Sequence, residues 1–197
     1  MSFRKEKKFR VSVYDSLILK AQLLDKGMNR LFPKRSIHSQ YFDTKHNKMF
    51  HDSEEGILPR KKVRVRWYNN SQKILTLENK TSSIEGRFKT TKKISHEEFY
   101  EYKVNGLLDS LYGHIAPSVL VEYSREYYQY QDVRITFDSN IRYFMIKDNR
   151  LSTEDERVIE IKVPFSVSDD YLEKLLPIPT SRFSKYSRAF LKNYKQM

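Results

Sequence analysis

Cysteine is absent from the 197 residues, which excludes disulfides, thiolate metal ligands and cysteine nucleophiles. Any metal must be held by carboxylates, histidines or oxygens that a ligand brings. Glycine is scarce, at 5 residues, and neither GxxxxGK nor GxGxxG occurs, so the glycine-rich phosphate cradles of nucleotide-binding folds are excluded. No apolar run approaches the roughly 20 residues that cross a bilayer. The basic start MSFRKEKKFRV lacks the apolar segment of a secretory signal. The expectation is a soluble, cytoplasmic chain forming one domain over 1–197, without membrane insertion, linker, repeat or low-complexity tract.

Positive charge and aromatic residues are plentiful. Lysine and arginine number 37 against 25 acidic residues, so the net charge of +12 calls for an anionic partner: nucleic acid, a membrane surface or polyphosphate. Tyrosine (14) and phenylalanine (12) fit strands built from aromatic and β-branched positions.

The pattern predicts about eight strands and three or four helices, an α+β architecture or a closed antiparallel barrel. Strands are expected over 3–13, 36–44, 61–68, 73–80, 86–94, 117–130, 132–146 and 158–165, with Asn69-Asn70-Ser71-Gln72 as a hairpin turn. A helix capped by Asp15 or Ser16 runs to about residue 30, with Leu17, Leu19, Leu23 and Leu24 as its apolar stripe. Ser95 and Glu98 form a capping box ahead of a helix expected over 99–113. A short helix stops at Pro177, and a last one spans 181–194 and presents Lys185.

Alternation along the strands sorts the charges. KKVRVRWY puts Val63, Val65 and Trp67 on one face and Arg64 and Arg66 on the other. LTLENK separates Leu75 and Leu77 from Thr76, Glu78 and Lys80; VRITFD separates Val133, Ile135 and Phe137 from Arg134, Thr136 and Asp138; IEIK separates Ile159 and Ile161 from Glu160 and Lys162. Arg125 falls on the side of Val119, Val121 and Tyr123, off the end of an apolar face unless a bulge intervenes. A solvated sheet face is one account of this pattern. The other is a barrel with a charged lumen, in which arginine forks meet phosphate oxygens and glutamates offer oxygens to a divalent cation.

RKEKK at 4–8, SQYFDT at 39–44, RVRWY at 64–68, LENK at 77–80, PSVLVEYSR at 117–125, VRITFDSN at 133–140, IEIK at 159–162 and FSKY at 183–186 occur in an order that resembles the VTC domain. This is the polyphosphate polymerase domain of the vacuolar transporter chaperone complex and its bacterial relatives, within the triphosphate tunnel metalloenzymes. The resemblance spans nearly the whole chain. It implies an eight-stranded antiparallel tunnel barrel with flanking helices, binding ATP and polyphosphate with Mn²⁺ or Mg²⁺. It implies transfer of the terminal phosphoryl group of ATP to a growing chain.

By the same resemblance Arg64, Arg66, Lys80, Arg134 and Lys185 act on the phosphoryl group, and Glu6, Lys8, Arg87, Lys89, Arg125 and Lys162 join them in binding substrate. Glu160 and Glu78 are the implied metal ligands. Asn79 departs from the family's apolar residue, and the chain carries no SPX regulatory domain or membrane segment, so export through its own pore is not implied. A triphosphatase using water, a noncatalytic polyphosphate or nucleotide sensor and a nucleic-acid binder remain alternatives; no specific nucleic acid or protein partner is indicated. The five histidines lack metal-ligand spacing and are expected at the surface, and Asp43 either joins the charged network or closes a turn.

Overall fold

The computed structural model describes residues 4–69 and 71–194. Phe3, at the start of the first expected strand, and Asn70, in the expected hairpin turn, lie outside the described residues. The architecture is α+β. Ten strands and five helices follow in the order β1 (Arg4–Val11), α1 (Val13–Asp25), β2 (Asn29–Asp43), α2 (Lys48–Glu55), β3 (Arg60–Tyr68), β4 (Ser71–Ser83), β5 (Gly86–Ile94), α3 (His96–Asn105), β6 (Leu107–Asp109), β7 (Gly113–Tyr130), β8 (Val133–Met145), β9 (Arg150–Thr153), β10 (Arg157–Pro164), α4 (Asp169–Leu175) and α5 (Lys185–Tyr194).

The strands pair in the order β1-β10-β8-β7-β2-β3-β4-β5, with β6 against β7 and β9 against β8. Every pairing whose register is given is antiparallel. Among the described residues β1 and β5 do not pair, so hydrogen bonding does not close the sheet into the expected barrel. Both terminal strands are rich in lysine, and like charge at a sheet edge opposes further pairing.

The chain divides into two compact units, each assembled from three separated segments. One comprises residues 1–35, 123–141 and 153–183; the other comprises 36–122, 142–152 and 184–197. The first unit has its core where the apolar faces of β1, β8 and β10 meet α1 and α4, around Phe9, Leu23, Ile135, Ile159, Ile161 and Leu172. The second gathers Phe42, Met49, Val63, Val65, Trp67, Leu75, Phe99 and Ile115. Fully burying an aliphatic side chain of this size is favourable by about 1.5–3 kcal/mol, so these faces fix which side of each strand turns inward.

Several local expectations are corrected. Ser12, rather than Asp15 or Ser16, caps α1 by accepting from the Asp15 amide, so β1 stops at Val11 and the helix at Asp25. Only Leu19 and Leu23 of its leucines are buried; Leu17 and Leu24 are exposed because they fall on the flanks of that i, i+4 pair. The Ser95–Glu98 capping box is present, but α3 stops at Asn105. Gly106 ends it at φ 71°, where an added Cβ would lie 2.5 Å from the Ile115 carbonyl oxygen, and the next residues turn into β6. No described helix is long and apolar enough to cross a membrane.

Candidate phosphate-binding site

In the second unit, β3, β4 and β5 form two consecutive antiparallel pairings whose register stacks charge on one face. Arg64 lies opposite Glu78, Lys62 opposite Lys80, and Arg66 opposite Thr76. On the next strand Lys80 faces Lys89, Ser82 faces Arg87 and Thr76 faces Lys93. β2 adds Tyr41 opposite Arg64 and Ser39 opposite Arg66. The strand period alone brings lysines and arginines from three strands together around a single carboxylate.

That carboxylate, Glu78, is buried. It accepts from Arg64 Nε at 2.7 Å and Lys89 Nζ at 2.6 Å, with Arg66 Nη1 3.7 Å away. Burial favours its protonated form, but the charges of Arg64 and Arg66 and the bonds from Lys89 and Arg64 prevail and hold it at about 2. Arg64 Nη1 also donates to the Tyr41 hydroxyl at 2.7 Å, and Arg66 Nε to Ser39 Oγ at 3.1 Å. Tyr41 is buried, which opposes ionisation, yet the same two arginines lower its phenol to about 8. Lys80, Arg87, Lys89 and Lys93 are exposed, so an anion reaches this face from solvent.

The start of α5 is pinned to this face. Lys62 Nζ donates to Ser184 Oγ at 3.0 Å, and the Tyr186 ring stacks on Tyr41 with centroids 4.9 Å apart. The Tyr186 hydroxyl donates to Asp43, whose carboxylate also accepts the amides of Thr44, Met49 and Phe50. Asp43 therefore joins the end of β2, the N-terminus of α2 and α5. Lys185 stands half-buried in the first turn of α5.

The first unit carries its own charged group. Across the β1–β10 pairing Lys8 lies opposite Glu160 and Glu6 opposite Lys162; across β10–β8 Glu160 faces Thr136 and Lys162 faces Arg134. Lys162 Nζ is 3.0 Å from Glu160 and 3.5 Å from Glu6, and Lys8 is 3.2 Å from Glu6. Arg125 is held by both oxygens of the fully buried Asp138, at 2.6 and 2.7 Å, and lies 3.6 Å from Glu160. The Tyr123 ring sits 5.3 Å from that guanidinium, so the apolar side of β7 runs directly into the charged group. Burial works against the ionised form of Glu160, but Arg125, Lys162 and Lys8 overcome it and push its carboxyl far below the usual range. A cavity of about 50 Å³ lined by Arg125, Arg134, Thr136, Glu160 and Lys162 leaves room for water or an ion beside it.

No cluster of three or more carboxylates and histidines that would cage a metal occurs among the described residues. The donors instead suit a hard divalent cation bound by one carboxylate, with phosphate and water oxygens completing its shell. Glu160 fits that use: it stays ionised and borders a polar cavity. Glu78 is engaged by Arg64 and Lys89, which makes it first a counterion.

The candidates fall into the two units: Arg64, Arg66, Glu78, Lys80, Arg87, Lys89 and Lys185 in one, and Glu6, Lys8, Arg125, Arg134, Glu160 and Lys162 in the other. Sequence reasoning passed over Lys62, Lys93, Tyr41 and Ser39. Lys62 and Lys93 follow the same two-residue period as their neighbours, and only the cross-strand register exposes Tyr41 and Ser39. His38 is not a surface group: it stacks on Trp67 at 5.3 Å and bonds Glu122 at 2.9 Å, while the other four histidines are exposed as expected.

A family model described as the VTC domain matches residues 3–194. No functionally curated protein is similar enough to the chain to count as a match. Among solved structures, a proposed adenylate cyclase of Bacillus halodurans shares 15% identity at a TM-score of 0.61, over 93% of this chain and 94% of its own. HpAC1 from Hippeastrum, a proposed adenylyl cyclase described with a dominant triphosphatase activity, shares 15% identity at a TM-score of 0.61, over 96% of each chain. The PH1819 protein of Pyrococcus horikoshii shares 14% identity at a TM-score of 0.60, over 98% of this chain and 99% of its own. At such identities the likeness is one of fold.

Proposed function

Because this chain belongs to the VTC domain family, we propose that it is a metal-dependent polyphosphate polymerase that transfers the terminal phosphoryl group of ATP to a growing polyphosphate chain. The observation that carries this reading is the gathering of Arg64, Arg66 and Lys89 around one ionised carboxylate, Glu78. Cations held so close repel one another, and a triphosphate relieves that repulsion better than a single glutamate does. Arg64 and Arg66 present planar forks suited to phosphate oxygens.

An oxygen of the acceptor's terminal phosphate attacks the γ-phosphorus, the bond to the β–γ bridging oxygen breaks, and ADP leaves with that electron pair. No side chain here needs to act as a covalent nucleophile. The work is positioning and stabilisation of charge on phosphate oxygens, by Arg64, Arg66, Lys80 and Lys185 in the second unit, while Arg134 offers a further cation beside Glu160 and Lys162 in the first. Glu160, ionised beside the polar cavity of the first unit, would hold Mn²⁺ or Mg²⁺, which would supply neutralisation of phosphate charge.

Water in place of the acceptor phosphate turns the same donors into a triphosphatase, the activity described for the Hippeastrum structural relative. Incubation with ATP and Mn²⁺, with products resolved by chain length, separates the two. Long chains that vanish in an Arg64→Ala/Arg66→Ala variant are the expected result. Orthophosphate without chains moves the assignment to a triphosphatase, and binding without turnover moves it to a sensor.

A further inference from the structure

A cavity of about 550 Å³ shares no residue with either charged group. It lies within the second unit, where the ends of β2 and β8 and the start of β7 meet α5. Its floor is apolar, built from Pro117, Met145 and Phe190. Phe190 is 2% exposed and is locked in place, stacked on Phe50 at 4.5 Å and edge-on to Tyr186 at 5.2 Å. The rim is basic: Lys45 and Lys147 are exposed, and half-buried Arg150 is tethered through Nη1 to the Asn193 carbonyl at 3.4 Å.

Two acids also border the cavity. Asp43 already accepts three amides and the Tyr186 hydroxyl, which leaves exposed Asp148 as the one acid against three cations. A preformed apolar floor under a basic rim is the arrangement of a small-molecule site, and its volume lies in the usual range for one.

We infer that this cavity binds a small aromatic anion, its ring on Phe190, Met145 and Pro117 and its anionic group on Arg150, Lys147 and Lys45. Neither half of that chemistry suffices alone. An inorganic anion gains nothing from the floor, and an uncharged ring leaves the rim unused. Because the floor is held rigid by Phe50 and Tyr186, binding orders little protein and the ring contact counts nearly in full.

Phenyl phosphate is the minimal probe, with inorganic phosphate and benzyl alcohol as its two halves. Titration of the full chain followed by NMR is expected to shift the Met145 methyl and the amides near Arg150 and Phe190 in a saturable way. Each half should bind at least about tenfold more weakly, as expected when a charged hydrogen bond or a buried ring is lost. Arg150→Ala removes the fork, and Ala116→Phe fills the cavity without touching the rim. Both variants, checked for unchanged melting temperature, should abolish the shifts, while Arg64→Ala/Arg66→Ala should leave them in place. Shifts confined to the β3–β5 face, an equal response to inorganic phosphate, or no saturable shift at all would each overturn the assignment.

Discussion

At Glu78 one carboxylate tempers several cations, and the pH response follows from its partners. Its folded value of about 2 lies below its ordinary value of 4.5, so its contribution to stability is complete above 4.5 and is lost as pH falls toward 2. Tyr41 works at the other end of the scale. Its phenol, lowered to about 8 from an ordinary 10, makes folding gain stability as pH rises from 8 to 10. Ionisation also places a negative charge beside Arg64, so affinity for triphosphate should fall above pH 8. Tyr41→Phe should flatten that fall and remove one phenolate from the absorbance titration; an unchanged alkaline limb would refute the coupling. Glu160→Gln tests the metal assignment separately. The Mn²⁺ needed for half-maximal activity should rise at least about tenfold. An unaltered metal requirement would remove Glu160 from that role.

Among the elements, the segment from α3 to β6 shows how one backbone position sets a boundary. Hydrophobic pattern carried the expected helix through to residue 113, but Gly106 takes φ 71° against the Ile115 carbonyl, and His114 Nε2 bonds the Asn105 carbonyl oxygen at 2.7 Å. Gly106→Ala should cost about 1–3 kcal/mol, read as a lower urea midpoint with unchanged slope. No change would show that the turn relaxes freely. Strands carrying strict alternation, β3, β8 and β10, were legible because a period of two divides Val63 from Arg64 and Ile159 from Glu160 without reference to the rest of the chain. The helix α2 and the short strands β6 and β9 were not, since each is too short to carry a period of its own. The roles of Tyr41 and Asp43 depend on cross-strand register and on α5, which lies more than a hundred residues further along the chain. Local pattern holds no record of such partners.

For the molecule as a whole, a net charge of +12 gives every polyanion some affinity, so binding alone is weak support for a site. What marks the β3–β5 face is geometry: arginine forks at fixed register around an ionised glutamate, with a hydroxyl from the neighbouring strand. Diffuse attraction fades with salt, whereas oriented contacts persist longer and depend on particular residues. The central claim, that this face holds a triphosphate through Arg64 and Arg66, is tested most directly by calorimetric titration of tripolyphosphate into the wild-type chain and the Arg64→Ala/Arg66→Ala variant at physiological salt. The account predicts one-to-one binding that weakens at least about a hundredfold in the variant, two charge-assisted contacts being lost. Equal affinity in the two proteins would contradict it.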